Sequence, residues 1–192
     1  MRVATHDRVA ETTNSILRYA NYRTKWAEKN CFIGADPDNR KVPDISVLNY
    51  GQADKKLLLD VTIPATLRYT NQGIAVRVNP KDLGKQAEAA SKIKIQKYED
   101  ACAANGHIFQ PIVLESCGYV HPNSLTFFKL LATRCAPLKK IPSSALYAYF
   151  MKRLSVSLQK GLAENIIDKL HMIHYATYPN IAFSDNDVFR AI

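Results

Sequence analysis

Two hydrophobic periodicities alternate along the chain, and together they predict a mixed α/β fold. Apolar residues that recur every three or four positions indicate helices, because such residues share one helix face. Short, nearly continuous apolar runs bounded by turn residues indicate strands that are buried in a sheet. These patterns predict helices over about 7–29, 82–104, 123–134 and 143–175, strands over 44–50, 56–63 and 109–117, and a small strand over 74–78. The predicted order is therefore one helix, three strands, one helix, one strand and then further helices.

Proline and glycine mark the expected boundaries in the second half of the chain. Pro137 and Pro142 are expected to break the helix before them, because proline lacks the backbone N–H that a helix interior requires. Gly161 is expected to interrupt the last long helix, since glycine is a poor helix former. We therefore expect a core over residues 1–136 and a basic helical extension over residues 137–192 that packs on it.

The charge of the chain adds a candidate partner. Its 192 residues include 26 Lys and Arg against 17 Asp and Glu, a net charge of +9, which favours a polyanion such as nucleic acid. No carboxylate occurs over 61–81 or 116–163, so we expect an anion-binding face there, with solubilising surface charge as the alternative. Tyr147, Tyr149 and Phe150 are expected either to stack on bases or to pack in a helix core. The candidate DNA-binding cations are Arg68, Arg77, Lys81, Lys129, Arg134, Lys139, Lys140, Lys152 and Arg153.

Composition and missing motifs exclude several classes of protein. The chain is 47% hydrophobic and 22% charged, as in soluble globular domains, and no apolar run reaches the roughly 18 residues of a membrane span. We therefore expect no membrane partner. The four cysteines form no CxxC pair, which predicts reduced thiols in an intracellular protein, and Cys117, His121 and Cys135 leave a zinc site open. Glycine-rich nucleotide-binding loops and the G-x-S-x-G motif of hydrolases are absent.

Two aspartates in the predicted strands are the first candidates for chemistry. Asp44 stands at the start of one strand, and Asp60 lies inside the apolar run of the next. Alternation along a strand puts Asp60 on the face of Leu58 and Thr62, where a buried carboxylate is costly unless it is satisfied. Carboxylates on adjacent strands can share a divalent cation such as magnesium. The alternative is that Asp44 caps its strand and Asp60 faces solvent.

Two lysines on the helix that follows support a polar centre. At about 100° per residue, Lys94 and Lys97 fall within the predicted buried stripe of this helix. Lysines that point toward a core are rare unless they are paired, so we expect both to face Asp44 and Asp60, with snorkelling past small alanines as the alternative. The residues that define the predicted stripe are Leu83, Ala87, Ala90, Ile93, Ala101 and Ala104.

These residues resemble a known family. Pro43-Asp44, followed by Asp60-Val61-Thr62 in this order of elements, resembles the PD-(D/E)XK nuclease superfamily. Thr62 stands where that pattern carries lysine, and some branches of the superfamily carry the lysine on the next helix. A closer resemblance, over about residues 41–131, is to the restriction-like endonuclease domain of polyproteins from retrotransposons without long terminal repeats. The strings that carry it are Val42-Pro43-Asp44-Ile45, Leu59-Asp60-Val61-Thr62-Ile63-Pro64, Lys94-Ile95-Gln96-Lys97-Tyr98 and Pro111-Ile112-Val113-Leu114-Glu115-Ser116-Cys117-Gly118.

The resemblance implies a fold and a reaction. The fold would be a restriction-endonuclease-like α/β core of order α-β-β-β-α-β, with a mixed central sheet flanked by helices and a C-terminal helical extension. The reaction would be hydrolysis of DNA phosphodiester bonds that depends on Mg²⁺ or Mn²⁺. Asp44, Asp60 and the backbone carbonyl of Val61 would hold the metal, and Glu11 is a candidate outer ligand.

Other residues would take supporting roles in such a site. Lys94 or Lys97 would orient the attacking water and stabilise the developing charge. Thr62 would support the site, and Tyr98 would pack beside it or touch a phosphate. Glu115 would support a lysine or the metal, or form a salt bridge to Lys94 or Lys97.

The resemblance also implies a partner and a cellular location, and it leaves other functions open. DNA is the expected partner, in a homodimer or within the parent polyprotein of a mobile element, and the location would be nuclear if the source is eukaryotic. Thr62 in place of lysine leaves open a catalytically inactive nucleic-acid-binding module of the same fold. A third possibility is a basic interaction module in which the helices after Pro137 bind protein.

Overall fold

A computed structural model of the protein describes residues 2–32, 41–48, 50–51, 55–65, 68–69, 75–76 and 82–177. The elements along the chain are α1 (Arg2–Tyr19), β1 (Thr24–Trp26), β2 (Ile45–Val47), β3 (Leu57–Thr62), β4 (Arg68–Tyr69), β5 (Ala75–Val76), α2 (Lys85–Ala104), β6 (Ile108–Val113), α3 (Pro122–Lys139) and α4 (Ser143–Thr177).

The described strands form a four-stranded mixed sheet and a separate small pair. The order in the large sheet is β1-β2-β3-β6. β1, β2 and β3 are antiparallel neighbours, whereas β6 runs parallel to β3, as a connection through the helix α2 requires. β4 and β5 pair with each other. The α/β class is confirmed, because helices flank this mixed sheet. The strands predicted near 44–50, 56–63 and 109–117 are present, each somewhat shorter than expected.

Alternation along the strands divides the core into two clusters. On one face of the sheet, α1, α3 and α4 pack over the main cluster, which includes Leu57, Leu59 and Val61. On the other face, α2 packs over Leu58 through Tyr98. The two-sided pattern predicted for β3 is therefore confirmed.

The first helix is shorter than the sequence pattern predicts. It ends at Tyr19, because Asn21 adopts a left-handed conformation with φ 65°. The Tyr22 N–H donates to the Leu17 carbonyl, as in the Schellman helix ending. The predicted continuation to residue 29 is wrong, since the chain turns here and forms the edge strand β1.

Pro137 does not break α3. It lies in the last turn of the helix, so the hydrogen bond that its missing N–H cannot give to the Thr133 carbonyl is lost only near the helix end. The helix ends where Lys140 adopts a left-handed conformation with φ 55° and donates its N–H to the Ala136 carbonyl. The boundary expected between residues 136 and 137 therefore falls inside α3. Pro142 lies in the short link between α3 and α4.

Gly161 does not interrupt α4, contrary to the prediction. α4 is continuous, and Gly161 is buried where this helix crosses α1. A Cβ at this position would lie 2.7 Å from Thr5 Cα, so the absent side chain permits the close approach of the two helices. α4 contributes to the main cluster through Leu146, Phe150, Leu154 and Leu158.

Gly161→Ala is expected to destabilise the protein, although alanine is the better helix former. The added methyl group would meet the Thr5 backbone at 2.7 Å, and such overpacking costs about 1–3 kcal/mol. We expect this cost to exceed the roughly 1 kcal/mol gained in helix propensity. Urea unfolding measures the difference, with Ser155→Ala at an exposed position of α4 as the control. A Gly161→Ala protein more stable than the wild type would contradict this packing.

Candidate functional site

The register of the sheet brings the two predicted carboxylates together. β2 pairs with β3 so that Ile45 lies opposite Leu59, and one further step along the antiparallel strands puts Asp44 opposite Asp60. Residues opposite each other in an antiparallel pair share one face of the sheet. The negative charge of Asp44 accordingly acts on Asp60, where it adds to the effect of burial in raising the pKa of the Asp60 carboxyl.

Asp60 is buried and is held by two side chains from α2. Only 4% of the residue is exposed. Tyr98 Oη donates to Asp60 Oδ1 at 3.1 Å, and Lys94 Nζ lies 2.5 Å from Oδ2. Lys94 is the charged partner of Oδ2, which has no further hydrogen-bond partner among the described residues. Burial and the Asp44 charge outweigh both α2 partners, and the pKa of Asp60 is raised.

Asp44 is held by the backbone and by a histidine that the sequence interpretation missed. The Val61 N–H donates to Asp44 Oδ2 at 2.6 Å, and His6 Nε2 lies 3.1 Å from the same oxygen. His6 Nδ1 lies 2.9 Å from Asp7 Oδ1. The hydrogen bond to Asp44 raises the pKa of His6 to about 9, against the opposing effect of burial. His6 is therefore an imidazolium at neutral pH, since both of its ring nitrogens face carboxylate oxygens.

The two candidate lysines of α2 have different neighbours. Lys94 reaches Asp60, whereas Lys97 is exposed, donates to Tyr98 Oη at 3.3 Å and lies 4.8 Å from the centre of the Tyr98 ring. Tyr98 is fully buried, and its hydroxyl lies between Asp60 and the Val42 carbonyl, which it approaches at 3.0 Å. Lys97 thus contacts a neighbour of the carboxylates, and only Lys94 contacts a carboxylate itself.

The buried stripe of α2 is rotated from the predicted one. Ile93 is 64% exposed and Leu83 is also exposed, and Ala104 lies on the surface, so these three assignments are wrong. Lys94 lies on the side of α2 that faces the sheet, because its partner Asp60 lies in β3. The residues of α2 that are buried are Ala87, Ser91, Tyr98, Ala101 and Cys102.

The other predicted metal-site residues fall into two groups. Thr62 Oγ1 is buried without a hydrogen-bond partner among the described residues. The Thr62 carbonyl accepts a hydrogen bond from the Leu114 N–H on the β6 side. The backbone groups of Val61 therefore face the β2 side, where the Val61 N–H donates to Asp44.

Glu11 is not at this site, because it lines a groove of about 400 Å³ between α1 and α4. We call this the α1–α4 groove, and its charged and aromatic residues are Arg8, Glu11, Tyr149, Lys152, Arg153 and Lys160.

Glu115 fixes the start of α2. It is fully buried, and its Oε1 accepts the Ala87 N–H at 2.9 Å, one of the N–H groups that lack a partner within the first turn of a helix. The side chain also stabilises the helix dipole at this end. The ion pairs of the described residues do not include one between Glu115 and Lys94 or Lys97, so the predicted salt bridge is corrected to a helix cap.

The carboxylate oxygens of Asp44 and Asp60 are of a type that suits a magnesium or manganese ion. Asp60 Oδ2 is buried and, among the described residues, has Lys94 as its only partner, and carboxylate oxygens are the ligands that Mg²⁺ prefers. Mg²⁺ commonly takes only one or two carboxylates and fills its remaining positions with waters and phosphate oxygens. Within the described residues, no group of three or more His, Cys, Asp or Glu side chains could hold a metal ion.

The zinc site left open by the sequence does not form. Cys135 is buried in the main cluster, whereas Cys117 is exposed, with Sγ 3.7 Å from Glu115 Oε2. His121 caps α3, since its Nδ1 accepts the Asn123 N–H at 3.2 Å. Its Nε2 donates to the Glu88 carboxylate at 2.9 Å, so both ring nitrogens are already hydrogen-bonded.

The predicted DNA-binding cations that the structure describes have different neighbours. Arg134 donates to Tyr50 Oη at 2.9 Å, and Lys139 Nζ lies 4.6 Å from the centre of the Tyr19 ring. Lys129 and Lys140 are exposed. For Arg68 only the backbone, in β4, is described. Arg77 and Lys81 lie outside the described residues, and Lys152 and Arg153 line the α1–α4 groove.

The three aromatic residues of α4 that were expected to stack on bases or to pack in a core differ in their burial. Phe150 is fully buried and Tyr147 packs against the main cluster, so core packing is confirmed for these two. Tyr149 is 45% exposed.

Comparison with known proteins does not assign the chain to a family: no family model matches it, and neither does any curated protein. No helix in the described part of the chain has the length and apolar character needed to cross a membrane.

Glu115→Ala is expected to destabilise the protein by about 1–3 kcal/mol, because the buried Ala87 N–H loses its acceptor. Glu115→Gln keeps an acceptor oxygen and should recover most of this loss. Urea unfolding of both variants makes the comparison. If Glu115→Gln were as destabilised as Glu115→Ala, the carboxylate charge rather than the cap would be the important feature.

Proposed function

We propose that the protein is a divalent-metal-dependent endonuclease that hydrolyses DNA phosphodiester bonds. The proposal depends above all on one observation. A lysine of α2, Lys94, lies 2.5 Å from the buried Asp60 carboxylate, and Asp44 occupies the opposed position on the neighbouring strand. Two acids on neighbouring strands and one lysine from the helix that packs over them suit metal-assisted attack by water on a phosphate.

The arrangement of elements supports a restriction-endonuclease-like core. With the small β4–β5 pair left aside, the chain runs α1-β1-β2-β3-α2-β6. This is the order that the sequence resemblance implies, but its first strand is β1, within the region predicted as helix, and the strand predicted over 74–78 is not among the three. The sheet has β3 and β6 at its parallel junction, and α2 crosses between them over the face that carries Asp60. Such a connection brings the lysine-bearing helix over the second acid.

Each residue of the site has a distinct proposed role. Asp44, Asp60 and the Val61 carbonyl would hold the ion, which when bound would lower the pKa of a water and offset charge on the attacked phosphate. Lys94 would orient the attacking water and stabilise the negative charge that develops on the phosphate. Tyr98 would fix the rotamer of Asp60 through Oδ1, so that Oδ2 stays directed at Lys94 and the ion.

The exposed cations would hold the DNA backbone. Phosphate contacts from lysine and arginine supply most of the affinity of such proteins and fix their orientation on the nucleic acid. Lys129 and Arg134 lie exposed along α3. These contacts need no base recognition, so they are compatible with binding of many sequences.

A catalytically inactive nucleic-acid-binding module of the same fold is the alternative. The observation that favours it is the pairing of both carboxylates with cations of the chain itself: His6 with Asp44 and Lys94 with Asp60. Such pairs stabilise the site without an ion. A protein that has lost cleavage could keep this arrangement for its structure alone.

Metal binding is expected to be visible in thermal stability. Mn²⁺ should stabilise the wild type by about 2.7 kcal/mol at a concentration about 100 times its Kd, and it should have little effect on Asp60→Asn. In the presence of a chelator, Asp60→Asn should be at least as stable as the wild type, because burial and Asp44 disfavour the ionised Asp60.

Asp100→Asn, at an exposed position of α2, is the matched control for this experiment. It should respond to Mn²⁺ as the wild type does. Equal stabilisation of Asp60→Asn and the wild type would show that any bound ion lies elsewhere.

Cleavage is tested by nicking of supercoiled plasmid with Mg²⁺ or Mn²⁺. Asp60→Ala should abolish nicking, and Lys94→Ala should reduce its rate about 100-fold, the effect of removing one group that stabilises developing charge. Lys97→Ala should have a smaller effect, since Lys97 contacts only Tyr98.

Lys92→Ala is the control, because Lys92 is exposed on the same helix and pairs with Glu88. It should cleave like the wild type. If the wild type binds DNA without cleaving it, the inactive module is the correct function.

A further inference from the structure

The α1–α4 groove has the properties of a second binding site. It has a volume of about 400 Å³, within the range of ligand-binding clefts. Three of its cations, Lys152, Arg153 and Lys160, take part in no ion pair of the described residues. Arg8 is different, because Glu164 binds its guanidinium through both carboxylate oxygens. With Glu11 as the single carboxylate of the lining, the groove keeps an excess of positive charge.

The cations and one aromatic side chain form a row along α4. Tyr149, Lys152, Val156 and Lys160 follow one another at helical spacing and line the groove together. At about 1.5 Å per residue, Lys152 and Lys160 are about 12 Å apart along the helix. Within a DNA duplex, each strand carries one phosphate per about 3.4 Å, so the distance between Lys152 and Lys160 is long enough for the two lysines to contact different phosphates of one strand.

Tyr149 gives the groove a surface on which a base can stack. The residue is 45% exposed, and the Arg153 guanidinium lies 5.7 Å from the centre of its ring. Tyrosine rings and guanidinium planes both stack on nucleobases. Stacking of this kind requires an unpaired base, whereas the bases of a duplex are already stacked on one another. The groove therefore suits a single strand.

The groove lies on the opposite side of the sheet from Asp60. α1 and α4 pack on the face of Leu59 and Val61, whereas Lys94 and Tyr98 reach Asp60 from α2 on the other face. α1 also contacts Asp44, through His6, but His6 does not line the groove. A strand in the groove is therefore not the strand that would face Asp60.

We propose that the α1–α4 groove binds a short single-stranded nucleic-acid segment, with phosphates on Lys152, Arg153 and Lys160 and a base on Tyr149. This is an accessory site, separate from the carboxylates. Its ligand class goes beyond the proposed cleavage of DNA, and its occupancy does not depend on that activity.

Fluorescence anisotropy with a labelled twelve-nucleotide oligothymidylate tests the proposal, with the full chain and a metal chelator present so that cleavage plays no part. Lys152→Gln/Lys160→Gln should weaken binding at least tenfold at low salt. Its plot of log affinity against log salt should be shallower by about 1.4, since each phosphate contact with a single strand contributes about 0.7. Tyr149→Ala should weaken binding about tenfold, which corresponds to the loss of one stacked base, and Tyr149→Phe should restore it.

Lys55→Gln/Lys169→Gln is the matched control, because it removes the same charge at exposed positions outside the groove lining. It should keep nearly the affinity of the wild type. An equal loss in this control would overturn the proposal in favour of diffuse charge. Unchanged binding by Tyr149→Ala, or a duplex bound as tightly as the single strand, would also overturn it. Binding to phosphatidylserine vesicles without binding to the oligonucleotide would assign the groove to anionic lipid instead.

Asp60→Asn separates this site from the proposed active site. It should bind the oligonucleotide like the wild type, whether or not the wild type cuts DNA. Loss of oligonucleotide binding in Asp60→Asn would place the bound strand at the carboxylates and overturn the accessory site.

Discussion

The burial of the Asp60 carboxylate constrains the structure around it. A carboxylate that is 4% exposed, in a strand packed on both faces, must be matched by charge and hydrogen bonds. The chain supplies both from one helix, since Lys94 and Tyr98 are four residues apart and project from the same face of α2. The rotation of α2 about its axis follows from this pairing. Its start is fixed separately by Glu115, which binds the Ala87 N–H.

Features that depend on local periodicity could be predicted from the sequence. Alternation along β3 placed Asp60 on the face of Leu58, and the structure has it there. The proximity of Lys94 followed from the helical period and from the rarity of unpaired buried lysines. The same reasoning misplaced Ile93, which is exposed. Apolar character alone was a poor guide on this helix, because the attraction between a lysine and a buried acid outweighed the burial of an isoleucine.

Features that depend on distant pairs could not be predicted in this way. His6 and Asp44 are separated by 38 residues, and no periodic pattern in α1 distinguishes a histidine that meets an acid from one that meets solvent. The same holds for Glu115 as a helix cap. Gly161 was interpreted by its weak helix propensity, whereas its role lies in its contact with Thr5 on another helix. In each case the partner determines the role, and sequence spacing carries no information about the partner.

The charges at the proposed active site couple the binding of a metal ion to the binding of a phosphate. His6 and Lys94 already oppose the two carboxylates, so the site is close to neutral before any ion enters. A divalent ion alone would add two positive charges beside these cations, which repel it. A phosphate brings negative charge into the same space, and a deprotonated water would bring more. On the proposed function, the ion therefore binds more tightly when the phosphate is present. The cations His6 and Lys94 favour a metal site in which the substrate phosphate supplies part of the negative charge around the ion.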